Sequence, residues 1–196
     1  MQNQPNHNKR LALVTGGNRG IGFEVARKLA ARDITVLIGA RSRERGLAAQ
    51  QRLKLENLEV DFIPLDVTDA LSIQSAVGRI KDSFRRLDIL VNNAGIMVDA
   101  MTQITELNPT ILQNTLETNA VGPLLLSQAC LALMRKNNYG RIVNMSSILG
   151  SLTDIASPDS VHADVQAPAY RLSKALLNGI TVLFASQLRG TNILVN

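Results

Sequence analysis

Tyr170 and Lys174 are the two residues of this chain whose types and spacing most directly suggest chemistry. Positions four apart on a helix share one face, so the phenol and the ammonium can stand side by side over a ligand. A free tyrosine has a pKa of about 10 and donates a proton at neutral pH, and a cation about 4 Å away stabilises the phenolate by roughly 4 kcal/mol at an effective dielectric of about 20. The spacing therefore predicts a tuned proton donor, although by itself it is also typical of a solvated helix face.

A glycine-rich segment at 15–22, TGGNRGIG, lies where a predicted strand gives way to a predicted helix. Gly16, Gly20 and Gly22 permit a tight turn and let a diphosphate approach the backbone, while the helix N-terminus supplies free N–H groups. An ordinary glycine-rich turn is the alternative, but the position after the first strand of an α/β chain favours nucleotide binding. The segment NNAG at 92–95 should emerge at the same edge of the sheet, where open parallel sheets bind their ligands.

The residues after the second predicted strand indicate which dinucleotide is preferred. About 20 residues past the glycines, NAD-binding proteins place an acid on the ribose 2′-hydroxyl, and NADP-binding proteins place a basic group. Here no Asp or Glu lies between Asp33 and Glu44, Arg41 stands at the strand end, and Arg19 in the glycine loop is a second candidate. An arginine can bind a 2′-phosphate through charge-assisted hydrogen bonds, so we predict NADP over NAD; the alternative is simple solvated charge.

Short β-branched runs alternate with longer helical patterns along the chain. The predicted strands are 11–15, 35–39, 60–65, 89–92, 142–145 and 193–196. The predicted helices are 21–31, 43–55, 71–84, 111–135 and 169–188. Most of these strands are apolar on successive residues, as expected where helices cover both faces of a parallel sheet. The rhythm predicts the α/β class, with a doubly wound parallel sheet and right-handed crossovers.

Length and composition indicate one globular domain over 10–196, preceded by a loose polar tail at 1–9 that lacks the apolar stretch of a secretory signal. Asp66 to Asp69 should cap the helix that follows the third strand. The connection 151–168 is predicted to be a loop or lid, in which His162 is more typical of a surface residue than of a catalytic one. The apolar stretch 120–134 is too short and too interrupted to cross a membrane.

Charge and cysteine content narrow the choice of partners. The chain carries 21 basic and 16 acidic residues, but four Phe, two Tyr and no Trp argue against a base-stacking nucleic-acid surface, even with the basic helix at 79–86. Cys130 is the only cysteine and falls in an apolar helical pattern. We therefore predict a packed thiol, no intrachain disulfide and a reducing, cytoplasmic compartment. No metal site is predicted.

Five motifs in order along nearly the whole chain resemble those of the short-chain dehydrogenase/reductase family. They are the glycine segment 15–22, NNAG at 92–95, Asn119, Ser147 and Tyr170-x-x-x-Lys174. The segment IGARSRERG at 38–46 and the long gap between the serine and the tyrosine are similar to the NADPH-using carbonyl reductase branch of that family. The resemblance implies a Rossmann-type fold and hydride transfer between NADP(H) and a small carbonyl or alcohol substrate.

The resemblance also implies a role for each residue. Tyr170 would protonate the carbonyl oxygen, Ser147 would donate a hydrogen bond to the same oxygen, Lys174 would tune the phenol, and Asn119 would hold a water in the proton relay. The implied cofactor-binding residues, of which Asp66 and Val67 would flank the adenine, are Gly16, Asn18, Arg19, Gly20, Ile21, Gly22, Arg41, Asp66, Val67, Asn93, Ala94, Gly95, Tyr170 and Lys174.

Two departures from the family pattern leave alternatives open. The family continues beyond residue 196 through a substrate-covering segment and a seventh strand, so we expect six strands and an incomplete substrate pocket. A non-catalytic NADP(H)-binding module is therefore the second hypothesis. The long connection 151–168 leaves open whether the chain forms the homo-oligomers usual in the family. A nucleotide-sugar epimerase is disfavoured, because such relatives carry a different glycine spacing and a larger C-terminal region.

Overall fold

Six parallel strands form one sheet in the part of the chain that the structure describes. The structure is a computed structural model and describes residues 9–196, so all but the last residue of the predicted polar tail lies outside the described residues. The strands are β1 (Leu11–Thr15), β2 (Thr35–Ala40), β3 (Val60–Pro64), β4 (Ile89–Asn92), β5 (Gly140–Asn144) and β6 (Ile193–Val195). Their order is β3-β2-β1-β4-β5-β6, and all pairs are parallel. The predicted α/β class with a doubly wound sheet is confirmed.

Helices cover both faces of this sheet. They are α1 (Gly20–Ala30), α2 (Arg43–Leu55), α3 (Ala70–Phe84), α4 (Pro109–Leu116), α5 (Gly122–Lys136), α6 (Leu152–Ala156) and α7 (Pro168–Gln187). Successive residues of β1 point to opposite faces. Leu11 and Leu13 pack with residues of α3 and α5, whereas Ala12 and Val14 pack with residues of α1 and α2. Because both faces are buried, every position of β1 must be apolar or hydrogen-bonded.

Cys130 is fully buried in the apolar cluster between the sheet and α5. Burial raises the pKa of its thiol to about 12, because the thiolate would lose its hydration there. The predicted packed thiol is confirmed.

The predicted helix 111–135 is wrong as a single element. The structure has α4, then a π-helical segment at Glu117–Val121, then α5. Pro123 has no N–H and cannot bond to the carbonyl of Asn119, and the chain widens there so that the Gly122 N–H bonds to the Glu117 carbonyl five residues back. Gly122 also packs against the Val67 carbonyl, which a Cβ would meet at 2.5 Å.

The remaining elements agree closely with the sequence. The other predicted helices match within one residue at each end, and Asp69 caps α3 by accepting from the Leu71 N–H at 2.9 Å. β5 begins two residues before its predicted start, since Gly140 pairs with Ile193. The predicted loop 151–168 contains α6, whose first turn is capped by the Ser151 hydroxyl. No helix within residues 9–196 is both long and apolar enough to cross a membrane.

Asp88 joins the N-terminal ends of three strands. Its side chain is 1% exposed, and its Oδ2 accepts from the Leu11 N–H at 2.8 Å. Its backbone N–H donates to the Leu11 carbonyl, and its carbonyl accepts from the Arg141 N–H. Arg86 closes the arrangement with two bonds of 2.8 Å to the Asp88 carboxylate. The buried charge is therefore neutralised by a cation that is itself only 28% exposed.

Replacing Arg86 by leucine should lower the free energy of unfolding by about 3 kcal/mol, because the change leaves a buried carboxylate without its cation. Denaturant unfolding measures this loss. Arg27→Leu is the matched control, since Arg27 is an exposed arginine paired with Glu24, and surface pairs are worth less than about 1 kcal/mol. Equal losses for the two variants would show that Asp88 does not depend on Arg86.

Candidate active site

The candidate site begins where β1 and β4 end side by side. Thr15 Oγ1 accepts from the N–H groups of Asn93 at 3.0 Å and Ala94 at 2.9 Å. The Asn93 side chain donates through Nδ2 to the carbonyls of Thr15 at 2.9 Å and Gly16 at 3.4 Å. These bonds fix the glycine loop against the NNAG segment. The predicted meeting of the two segments at one edge of the sheet is confirmed.

The glycine loop needs its glycines for two different reasons. Gly16 and Gly20 have φ of 63° and 56°, which other L-residues rarely adopt. Gly22 has no room for a side chain, because a Cβ would press on the Asn93 amide and stand 2.6 Å from the Gly16 carbonyl oxygen. The loop ends at the N-terminus of α1, where Arg19 is the N-cap and makes no side-chain cap. The first turn of α1 holds no acid, so its free N–H groups are available to an anionic ligand.

A cleft of about 390 Å³ lies above this loop. Its lining includes every predicted cofactor residue other than Tyr170 and Lys174. The lining residues that sequence reasoning missed are Ala40, Leu65, Thr68, Ile96 and Thr118. Four of the five are chain neighbours of predicted residues, so extending each motif by one position would have found them. The fifth, Thr118, adjoins Asn119, which is predicted as a catalytic and not as a cofactor-binding residue.

The charges around the cleft favour an anionic ligand. Arg19 and Arg41 line it and are exposed, and within residues 9–196 neither is paired with a carboxylate. The one acid in the lining is Asp66, whose Oδ1 already accepts from the Thr68 N–H at 3.0 Å and the Thr68 hydroxyl at 2.7 Å. The two guanidinium groups at the rim can therefore bind a phosphate.

Asn119 lies in the π-helical segment and is 1% exposed. Its Oδ1 accepts from the Ile96 N–H at 2.8 Å, and its Nδ2 donates to the Ile96 carbonyl at 2.8 Å and to Ser173 Oγ at 2.9 Å. Both amide hydrogens are used, so the side chain joins the NNAG side of the cleft to α7. Pro123, four residues on, has no N–H to donate to the Asn119 carbonyl.

Lys174 is held firmly beside Tyr170 on α7. It is 5% exposed, and its Nζ donates to the Met145 carbonyl at 2.6 Å, just past the end of β5. The same Nζ lies 5.5 Å from the centre of the Tyr170 ring. Burial lowers the pKa of Lys174, since the ammonium loses hydration that one hydrogen bond does not replace. The predicted pairing of these two side chains on one helix face is confirmed.

Ser147 caps a 3-10 turn at Ile148–Gly150 that packs on α7. Its Oγ accepts from the Leu149 N–H at 3.2 Å, which leaves the hydroxyl hydrogen free to donate elsewhere. A Cβ on Gly150 would stand 2.6 Å from the Lys174 carbonyl carbon, so only glycine allows this approach. The four predicted catalytic residues are thus placed on or against α7: Asn119 through Ser173, Ser147 through its turn, and Tyr170 and Lys174 directly.

The family model for short chain dehydrogenases matches residues 10–196. The chain belongs to the short-chain dehydrogenase family. Among the family's proteins, it is 34% identical over 180 residues to a (+)-neomenthol dehydrogenase of Capsicum annuum and 38% over 167 residues to one of Arabidopsis thaliana. These matches cover 73% and 74% of this chain but 57% and 56% of those proteins. The chain therefore spans little more than half the length of these relatives.

Solved family members share the fold closely. The NADPH-bound carbonyl reductase from chicken fatty liver is 31% identical with a TM-score of 0.81, covering 92% of this chain and 75% of that one. A variant of the actinorhodin polyketide ketoreductase with NADPH is 30% identical with a TM-score of 0.84, covering 97% of this chain and 69% of that one.

Replacing Lys174 by methionine should reduce the increase of the free energy of unfolding with pH. Because the folded-state pKa of Lys174 lies below its ordinary value of 10.5, the unfolded chain binds more protons in the window between the two values, and the free energy of unfolding rises with pH there. Lys174→Met removes this contribution. Denaturant unfolding at a series of pH values up to about 10.5, the ordinary pKa of a lysine, measures the slope. Lys28→Met, on an exposed lysine of α1, is the control, and equal slopes for all three proteins would contradict the expectation.

Proposed function

We propose that this chain is an NADP(H)-dependent oxidoreductase that transfers a hydride between the nicotinamide and a small carbonyl or alcohol substrate. The observation that carries the proposal is the buried Lys174 ammonium, fixed by the Met145 carbonyl beside the Tyr170 ring. Burying an ammonium is costly, and this one stands where it can stabilise a phenolate at the sheet edge that also carries the cleft. Membership of an oxidoreductase family supports the same interpretation.

The residues around the cleft fit NADP(H). The glycine loop and the α1 N-terminus would hold the diphosphate, and Gly20, where a Cβ would meet no protein atom within 4 Å, leaves the backbone open to it. Arg41 and Arg19 would bind the 2′-phosphate, and Asp66 and Val67 would flank the adenine. The rest of the cofactor site would be lined by the NNAG segment, Tyr170 and Lys174. When bound, the cofactor supplies or accepts the hydride. The NADPH in the two solved relatives supports this assignment.

Each catalytic residue then acts on one oxygen or one proton. In reduction, Tyr170 gives its phenolic proton to the carbonyl oxygen while the free Ser147 hydroxyl hydrogen bonds to the same oxygen. The Lys174 ammonium stabilises the phenolate left behind, and general acid catalysis of this kind is typically worth about 10² to 10⁴ in rate. A water on the Asn119 carbonyl would return the proton. The amide of Asn119 is committed to Ile96 and Ser173, so the relay would use the backbone.

A non-catalytic NADP(H)-binding module is the second candidate. One observation favours it: the residues that line the cleft include the dinucleotide-binding set but not Ser147 or Tyr170. Binding without turnover would decide for the module. A small-molecule substrate, absence of nucleic-acid binding and a cytoplasmic location are further parts of the proposal, whereas the oligomeric state is left open.

Tyr170→Phe should abolish ketone reduction and leave NADPH affinity within about twofold, because it removes only the acid. Turnover of a panel of ketones and aldehydes, together with a cofactor fluorescence titration, measures both properties. Tyr139→Phe is the matched control, since Tyr139 is the only other tyrosine and contacts Arg10 and Arg141 away from the cleft. Retained turnover in Tyr170→Phe would refute the assignment of the acid.

Arg41→Gln should weaken NADPH binding about tenfold or more and leave NADH binding unchanged, because hydrogen bonds to a charged group are worth about 1.5 to 3 kcal/mol. Cofactor fluorescence titrations with both dinucleotides measure the two affinities. Arg43→Gln is the control, since Arg43 is exposed but does not line the cleft. The preference for NADP would be wrong if the parent protein bound NADH as tightly as NADPH.

A further inference from the structure

No neighbouring side chain caps the N-terminus of α7, the helix that carries Tyr170. The N-cap of α7 is Ala167, which has no side-chain acceptor, and the first turn contains Pro168 and no acid. The first N–H groups of a helix need a hydrogen-bond partner when they are buried. Ala169 is fully buried, so water does not reach its N–H.

Asp99 supplies that cap from the connection between β4 and α4. Its Oδ2 accepts from the Ala169 N–H at 2.5 Å and from the Tyr170 N–H at 3.4 Å, across about seventy residues of sequence. Asp99 is 1% exposed. Close by, the Met101 N–H donates to the Gln166 carbonyl at 2.8 Å, so the connection is bonded to the start of α7 at two points.

A carboxylate is an expensive choice for this cap. Its other oxygen, Oδ1, is buried and has no hydrogen-bond partner among residues 9–196. Asparagine or serine would cap a helix about as well without burying a charge. A buried carboxylate with one unpaired oxygen, bonded to the Ala169 and Tyr170 N–H groups, therefore costs more than capping α7 requires.

We propose that Asp99 is a positioning residue for Tyr170, anchoring the first turn of α7 to the segment that lines the cleft. Residues 93–96 line the cleft, and Asp99 follows them three residues later in the same connection. One short stretch of chain thus sets the distance between the cleft and the phenol. The proposal rests on the proposed role of Tyr170 as the proton donor.

The charge of Asp99 adds a second effect to its position. Lys174 favours the phenolate of Tyr170, whereas a carboxylate on the backbone N–H of the same residue favours the neutral phenol. The two charges approach from different parts of the fold, since Lys174 lies one turn along α7 and Asp99 at its first turn.

The first test measures the ionisation of the phenol without any turnover. The chain has two tyrosines and no tryptophan, so in a Tyr139→Phe background the tyrosinate absorbance reports Tyr170 alone. Asp99→Asn keeps an acceptor oxygen and removes the charge. The midpoint of ionisation should move to lower pH, because the negative charge that is removed lies at the backbone N–H of Tyr170 and opposes a phenolate on the same residue. Asp82→Asn, on an exposed residue of α3, should leave it unchanged. An unchanged midpoint in Asp99→Asn would overturn the proximity of the two groups.

The second test separates positioning from stability. Asp99→Leu removes the cap, and its kcat for ketone reduction per folded molecule should fall about 10- to 100-fold with NADPH affinity retained, because small displacements of a catalytic group are costly. Asp99→Asn should stay within about threefold of the parent, since the acceptor remains. A normal kcat in folded Asp99→Leu would overturn the proposal. If Asp99→Leu fails to fold, the titration of Asp99→Asn decides. If no variant or parent turns over while the midpoint still shifts, the proposed function fails and the placement of Asp99 stands.

Discussion

The site depends on the reversal of strand order between β1 and β4. Both strands end at the same edge, and the chain leaves them in opposite directions across the sheet. Their last backbone groups therefore lose the regular ladder and need other partners. Thr15 and Asn93 supply those partners for each other's segments. The crevice opens at this reversal because the connections diverge from it, which is the general position for ligands in open α/β sheets.

A second set of hydrogen bonds extends this constraint to α7, the helix that carries Tyr170 and Lys174. Asn92 donates to Asn144 at 2.8 Å and to Ser127 at 3.1 Å, and Asn144 donates to Thr181 on α7 at 2.8 Å. The ends of β4 and β5 are thereby joined to α5 and α7. Each polar group in such a buried network costs free energy when it is left unpaired. These hydrogen bonds join residues far apart in sequence, and the proposed proton transfer would require such fixed positions.

The irregular segments of the fold occur where α7 meets the cleft side of the sheet. The π-helical segment at Glu117–Val121 carries Asn119, whose side chain bonds to Ile96 and to Ser173 of α7. Gly150 brings the serine turn against α7, and Asp99 fixes the first turn of the same helix. Departures from regular helix and cap geometry are tolerated here because long-range contacts compensate for them, a pattern frequent at functional sites.

The fold class, the strands and most of the residues around the cleft could be predicted from the amino-acid sequence. Periodic apolar runs report local structure, and motifs such as the glycine loop combine turn chemistry with ligand chemistry in a few adjacent residues. Other features have no adjacent signal and follow from tertiary contacts: the hydrogen bonds of the Asn119 side chain to Ile96 and Ser173, the burial of Lys174 against Met145 and the capping of α7 by Asp99. Each of these arises from contacts between segments many residues apart, and a local pattern cannot encode which distant groups will satisfy a buried N–H, carbonyl or charge.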